Sequence, residues 1–201
     1  GTVVNGYVHT NGRVGVLLAA TCDEAAKDKA TALLKSLAMH ASAMKPTVIS
    51  YTDLCPEFVD SENRAIVAEI IADNDELKRL GKPLKNIPDF VSRSQLTEEA
   101  IANAKAAFEA ELKEQGKHEK IWANIIPGKS ERYITDNTQL DGRHALLSQA
   151  YVMNDKLTVE QAIAEVDASI KITEYIRFEL GEGIEKKEED FAAEVAKQMG
   201  K

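Results

Sequence analysis

Cysteine is scarce in this chain: 201 residues contain two, Cys22 and Cys55. Two cysteines are too few for a disulfide framework, and no C-x-x-C spacing offers a metal cage. They read as free thiols in a reducing cytosol. Aromatic residues are also sparse, at 5%. No apolar run is long. The longest, Val14-Gly15-Val16-Leu17-Leu18-Ala19-Ala20, is far too short to span a bilayer and has no basic leader of the signal-peptide kind. Net positive charge is missing as well. A formal charge of −8 and a pI near 5.1 argue against a nucleic-acid partner, because holding a phosphate backbone needs clustered Lys and Arg. An acidic surface suits solubility or a basic protein partner.

What is present is an ordinary apolar content of 44%, with Ala, Glu and Lys abundant enough to favour helices. The length fits one large domain, or one domain carrying an elaborate insertion. The first residue is Gly1 rather than Met, which points to a fragment. Residues 3–9 and 13–20 are rich in Val and Leu and flank Asn11-Gly12, a strong two-residue turn signal, so they predict a hairpin. Asp23 and Glu24 open a predicted helix to about Met44, with Leu33, Leu34, Leu37 and His40 or Ala41 on one face; Lys45-Pro46 stops it. A third strand is predicted over 171–180, ended by Gly181 and Gly183, and a short helix over 158–167 capped by Thr158. Together these predict a small α+β domain: an antiparallel sheet of three strands with the 24–44 helix on one face.

Everything between is helical and inserted. Residues 56–80, 97–115 and 118–137 carry apolar side chains at helical spacing, with Pro127-Gly128 marking a kink in the last. Gly116 separates the second from the third, so they should fold back as a coiled-coil hairpin whose first arm reaches about 28 Å. The predicted domains are therefore a discontinuous core of 1–55 and 138–180, a helical insertion of 56–137 that could serve as a dimerisation module, and a C-terminal helix within 181–201. An internal repeat runs through the insertion. Residues 46–54 align with 88–96, and each leads into an acidic helix, ending at Gly81-Lys82 and Gly116-Lys117. The offset falls from 42 residues to 35, a difference of one heptad, which reads as a partly duplicated arm.

The motifs give little support to catalysis. Gly128-Lys129-Ser130 resembles the end of a P-loop, but Ala123 stands where that motif needs glycine, and no strand precedes it. His9, His40, His118 and His144 are scattered without metal-ligand spacing. Carboxylates sit beside Lys on helix faces, and no Ser, Cys or Thr stands in a nucleophile setting. Neither an enzyme nor a cofactor or metal site is expected. Phe191 and Val195 form a narrow apolar stripe on the terminal helix, able to dock on its own domain or in a partner's groove.

The run Ile176-Arg177-Phe178-Glu179-Leu180-Gly181-Glu182-Gly183-Ile184-Glu185-Lys186, followed by Asp190-Phe191-Ala192-Ala193-Glu194-Val195-Ala196, closely resembles elongation factor Ts. Gly12-Arg13-Val14-Gly15-Val16-Leu17, Ala38-Met39-His40 with Lys45-Pro46, and Tyr151-Val152-Met153 support the likeness. It covers nearly the whole chain and looks like the second half of that family's core, with its coiled-coil and C-terminal modules. The resemblance implies a cytoplasmic translation factor that binds elongation factor Tu and promotes GDP release without covalent chemistry. It implies that His9 and Tyr151, Val152 and Met153 face the third domain of Tu, and that Phe191 and Val195 reach its GTP-binding domain. The family's Thr-Asp-Phe-Val motif, whose aromatic ring intrudes near the magnesium and phosphate site of Tu, belongs to a first half of the core not found here. Asp89-Phe90-Val91 mimics it but follows Pro88 in the repeated segment. Exchange is therefore expected to be impaired. The alternative is a structural dimerisation module without exchange activity.

Overall fold

A computed structural model describes residues 1–181. The predicted terminal helix, with Phe191 and Val195, lies outside the described residues. The chain divides into two compact units, one formed by Gly1–Ile49 with the chain from Ala150 onward, the other by Ser50–Gln149.

The first unit is built on strands β1 (Thr2–Val8), β2 (Val14–Thr21) and β5 (Lys171–Glu179), antiparallel in the order β1-β2-β5. Helix α1 (Lys27–Met44) packs against β1 and β2, preceded by a 3-10 turn over Glu24–Ala26. Period-two alternation decides which side chains enter that core. Val3, Val16, Leu18 and Ala20 are buried, and from α1 come Ala30, Leu33, Leu34, Leu37, Ala38 and Ala41. The opposite sheet face is apolar yet open, carrying Val4, Val8, Leu17, Ile176 and Phe178. Two glycines let this sheet pack closely. A Cβ on Gly6 would come within 2.8 Å of the Val16 carbonyl oxygen, and one on Gly15 would enter the Phe178 ring.

The turn between β1 and β2 is longer than Asn-Gly predicts. Gly12 N–H donates to the His9 carbonyl at 2.7 Å and His9 N–H to Val14 at 2.9 Å, so the loop spans residues 10–13. The two-residue form needs positive φ at both central positions. Here Gly12 has φ +68° and Asn11 is not left-handed; its side chain instead accepts from Arg13 N–H.

Helix α6 (Val159–Val166) starts where Thr158 caps it, in a capping box shared with Gln161. Before it lies a small antiparallel ladder not anticipated from sequence, β3 (Ala150–Tyr151) with β4 (Asn154–Thr158).

The second unit holds α2 (Pro56–Arg79), α3 (Glu98–Glu114), α4 (Glu119–Asp136) and α5 (Gln139–His144). Helices α3 and α4 form the expected hairpin, with Leu112 and Ile126 buried and Phe108 meeting Tyr133 edge-on at 6.4 Å. Helix α4 runs on through Pro127. This unit is wider than the predicted 56–137 insertion. Buried Asp141 on α5 accepts from Ser92 Oγ and from Arg93 N–H, both at 2.7 Å, and Leu140 N–H donates to Val91. Those bonds tie α5 to the turn before α3.

The sequence repeat is a structural repeat. Ser50 Oγ accepts from Thr52 N–H at 3.3 Å and its hydroxyl at 3.0 Å; Ser92 Oγ accepts from Ser94 N–H at 3.2 Å and its hydroxyl at 2.9 Å. Each following helix ends in a Schellman motif, with Lys82 N–H bonding Leu77 and Lys117 N–H bonding Leu112 across glycines of φ +66° and +69°. The helices differ by one heptad, 24 residues against 17.

Candidate partner-binding surface

Of the residues singled out from sequence, His9 lies in the first unit just beyond β1, exposed. The Tyr7 hydroxyl and His9 Nδ1 are 3.2 Å apart, and their rings meet at 63° with centroids 6.2 Å apart. The pair stiffens the end of the hairpin.

Tyr151, Val152 and Met153 occupy the turn between β3 and β4, where Tyr151 pairs with Asn154. Their fates differ. Tyr151 is buried, at 9% exposure, whereas Val152 and Met153 are 51% and 62% exposed. Two large apolar side chains thus stand in water side by side on a tight turn. Among the described residues no hydrogen bond or ring contact joins this turn to His9, so the two are separate features of one unit.

The turn is anchored from beneath by α1. His40, 1% exposed, accepts the Val152 N–H through Nδ1 at 3.1 Å, and its ring lies 5.8 Å from that of Tyr151 at 39°. An imidazole nitrogen that accepts an N–H carries no proton, so the neutral ring holds its proton on Nε2. Sequence reasoning placed His40 only on the inner face of a helix. A histidine among leucines and alanines was the available signal, but its partner is 112 residues away.

A shallow depression of about 530 Å³ lies in the same unit, lined by Lys45, Pro46, Thr47, Tyr175, Ile176 and Arg177. Burial pushes the Tyr175 phenol up to about 12, so it stays protonated at neutral pH. Asp89 and Phe90 are held in the second unit, their N–H groups donating to Asn137 Oδ1 at 2.9 and 3.0 Å. Phe90 is half-buried. Among the described residues no group of His, Cys, Asp and Glu could hold a metal ion, and no helix is long and apolar enough to cross a membrane.

A sheet backed by one helix, interrupted by a helical unit whose hairpin leads back to the last strand, is the arrangement that the resemblance implies. The profile of the family described as Elongation factor TS matches residues 1–87 and again 85–182. The chain belongs to the elongation factor Ts family. Among curated relatives, elongation factor Ts of Aliarcobacter butzleri (strain RM4018) is 80% identical over 201 residues, covering all of this chain and 58% of its own length. The protein of that name from Campylobacter hominis is 55% identical over 204 residues, again all of this chain and 58% of the relative. That of Helicobacter pylori (strain J99) is 57% identical over 202 residues, 98% of this chain and 57% of the relative. The chain thus spans under three-fifths of the length of these relatives. The two profile matches meet at residues 85–87, just before the second copy of the repeat at Pro88.

Proposed function

We propose that this chain binds elongation factor Tu and takes part in releasing GDP from it, as a non-catalytic exchange factor acting in the cytoplasm. Membership of the elongation factor Ts family supports this reading. The observation that carries it to particular atoms is the pair of exposed apolar side chains on the anchored turn, Val152 and Met153. Solvated apolar groups on a rigid mount contribute little to folding and lose much water on docking. With His9 they form the surface offered to the third domain of Tu, and Phe191 and Val195 are assigned to its GTP-binding domain.

Exchange of this kind is thermodynamic coupling. A factor and a nucleotide that each weaken the other's hold on Tu accelerate nucleotide release with no bond broken in the factor. The chain contains no Thr-Asp-Phe-Val motif. Phe90, half-buried and fixed by Asn137, is poorly placed to supply the intruding ring. Binding should therefore exceed stimulation. Fluorescent-GDP release from Tu at saturating chain tests this: a complex with slow release is expected, and no complex at all would refute the proposal.

The second reading is association of two copies through the helical unit. Exposed Ile71, Leu80, Leu84 and Ile87 in that unit favour it. Light scattering across concentration separates the two readings, since a structural module dimerises and leaves Tu unbound.

A further inference from the structure

We infer that His40 is the positioning residue of the surface formed by Val152 and Met153, holding that turn in the orientation a partner meets. The inference rests on the proposed docking of those two side chains on elongation factor Tu.

The argument starts from the turn itself. A tight turn between two strands leaves the N–H of its first central residue without a partner inside the turn. That residue is Val152, and its N–H is taken by His40 Nδ1 at 3.1 Å. The rest of the mount is slight. Strand β3 has two residues, and its register with β4 shifts between Ala150 and Tyr151. A ladder so short cannot fix the direction of two exposed side chains beyond its end. Tyr151 secures one side by packing on the His40 ring, at 5.8 Å between centroids. His40 in turn sits on the inner face of α1, whose neighbours Leu37, Ala38 and Ala41 are fully buried. The core thereby reaches through one ring to the base of an exposed apolar pair. Histidine suits the position because it presents a flat face to Tyr151 and an in-plane acceptor to the backbone, which an aliphatic side chain cannot do.

Two substitutions separate positioning from bulk. His40→Leu fills the site without an acceptor. His40→Asn places Oδ1 near the position of Nδ1 and restores it. The first readout needs no partner: hydrogen exchange of the Val152 amide in the free chain, followed by NMR. His40→Leu should speed that exchange about tenfold, the factor that a hydrogen bond of ordinary strength supplies. His40→Asn should bring it back toward the parent rate. The second readout is affinity for Tu, expected to fall about tenfold in His40→Leu and to recover in His40→Asn. An unchanged Val152 amide in His40→Leu overturns the inference. So does an Asn variant as weak as the Leu variant, since packing alone would then explain the loss. Failure of the underlying reading looks different. Val152→Ala with Met153→Ala would bind Tu as the parent does, while the amide still responded to position 40.

Discussion

Replacing both Val152 and Met153 by alanine tests the proposed surface most directly. The two side chains are 51% and 62% exposed, so roughly half of each is already in contact with the chain. Fully burying a Val or Met side chain is worth about 1.5–3 kcal/mol. The exposed halves therefore hold about 1–1.5 kcal/mol apiece, available only to a partner that covers them. Ordering and imperfect fit on association take back part of this, leaving a loss of about 1–2 kcal/mol in the double variant, or roughly 5- to 30-fold in Kd. Folding should suffer less, because truncating a half-exposed turn residue leaves no closed cavity. A cost below about 1 kcal/mol is expected, against about 2–5 kcal/mol for a core position. Calorimetric titration with Tu gives the first quantity and a thermal melt the second. A marked fall in Tm with unchanged affinity would mean that these side chains stabilise the fold and do not meet the partner.

Three further outcomes follow from the geometry. Asp141→Ala leaves Ser92 Oγ and the Arg93 N–H without their acceptor, which should cost roughly 2–4 kcal/mol in denaturant unfolding. Burial, opposed by those bonds, holds the Asp141 carboxyl above its ordinary range, so ionising it is harder in the folded chain than in the unfolded one. Its contribution to stability is then greatest below the unfolded pKa and falls as pH rises toward the folded value; Asp141→Asn should remove that slope. Gly6→Ala sets a methyl 2.8 Å from the Val16 carbonyl oxygen, a backbone atom that cannot swing aside, and should cost roughly 1–3 kcal/mol by thermal melt. Lys45 ends α1 at φ 51°, ψ 50°, a conformation that costs a side chain about 1 kcal/mol, so Lys45→Gly should raise stability by about that amount.

The sheet was legible because its three strands alternate apolar and polar residues and end at glycine, signals that survive without knowledge of neighbours. Helices α3 and α6 were legible from Thr97 and Thr158, whose side chains cap them as expected. The β3–β4 ladder was not. Its longer strand reads Asn-Asp-Lys-Leu-Thr, with one apolar residue and no alternation, so nothing local marks it as a strand. The boundary of the helical unit was missed for a related reason. Asp141 looks like one more acidic residue on a polar helix, and only the turn 49 residues earlier makes it a buried acceptor. His40 belongs to the same class, since its partner is a backbone amide and no sequence pattern encodes that.

The repeated arm is where sequence and structure together explain more than either does alone. Both copies open on a serine turn and close on a Schellman glycine, yet one helix is longer by seven residues. Seven residues of α-helix make nearly two whole turns and return the chain to within about 20° of its starting direction. The loss or gain of one heptad therefore preserves which face each helix buries and changes only its reach. The partners have diverged instead. After α2 the chain returns as an extended segment pinned by Asn74, which accepts Lys85 N–H at 2.8 Å and donates to its carbonyl at 2.9 Å. After α3 it returns as a helix, α4, which covers Leu112 with Ile126. The second copy can thus form a two-helix hairpin, while α2 gains only a strap that leaves Leu80, Leu84 and Ile87 exposed. A duplication that kept its caps and lost its covering helix accounts for the open apolar surface of this unit, and places any self-association there rather than along the closed seam of α3 and α4.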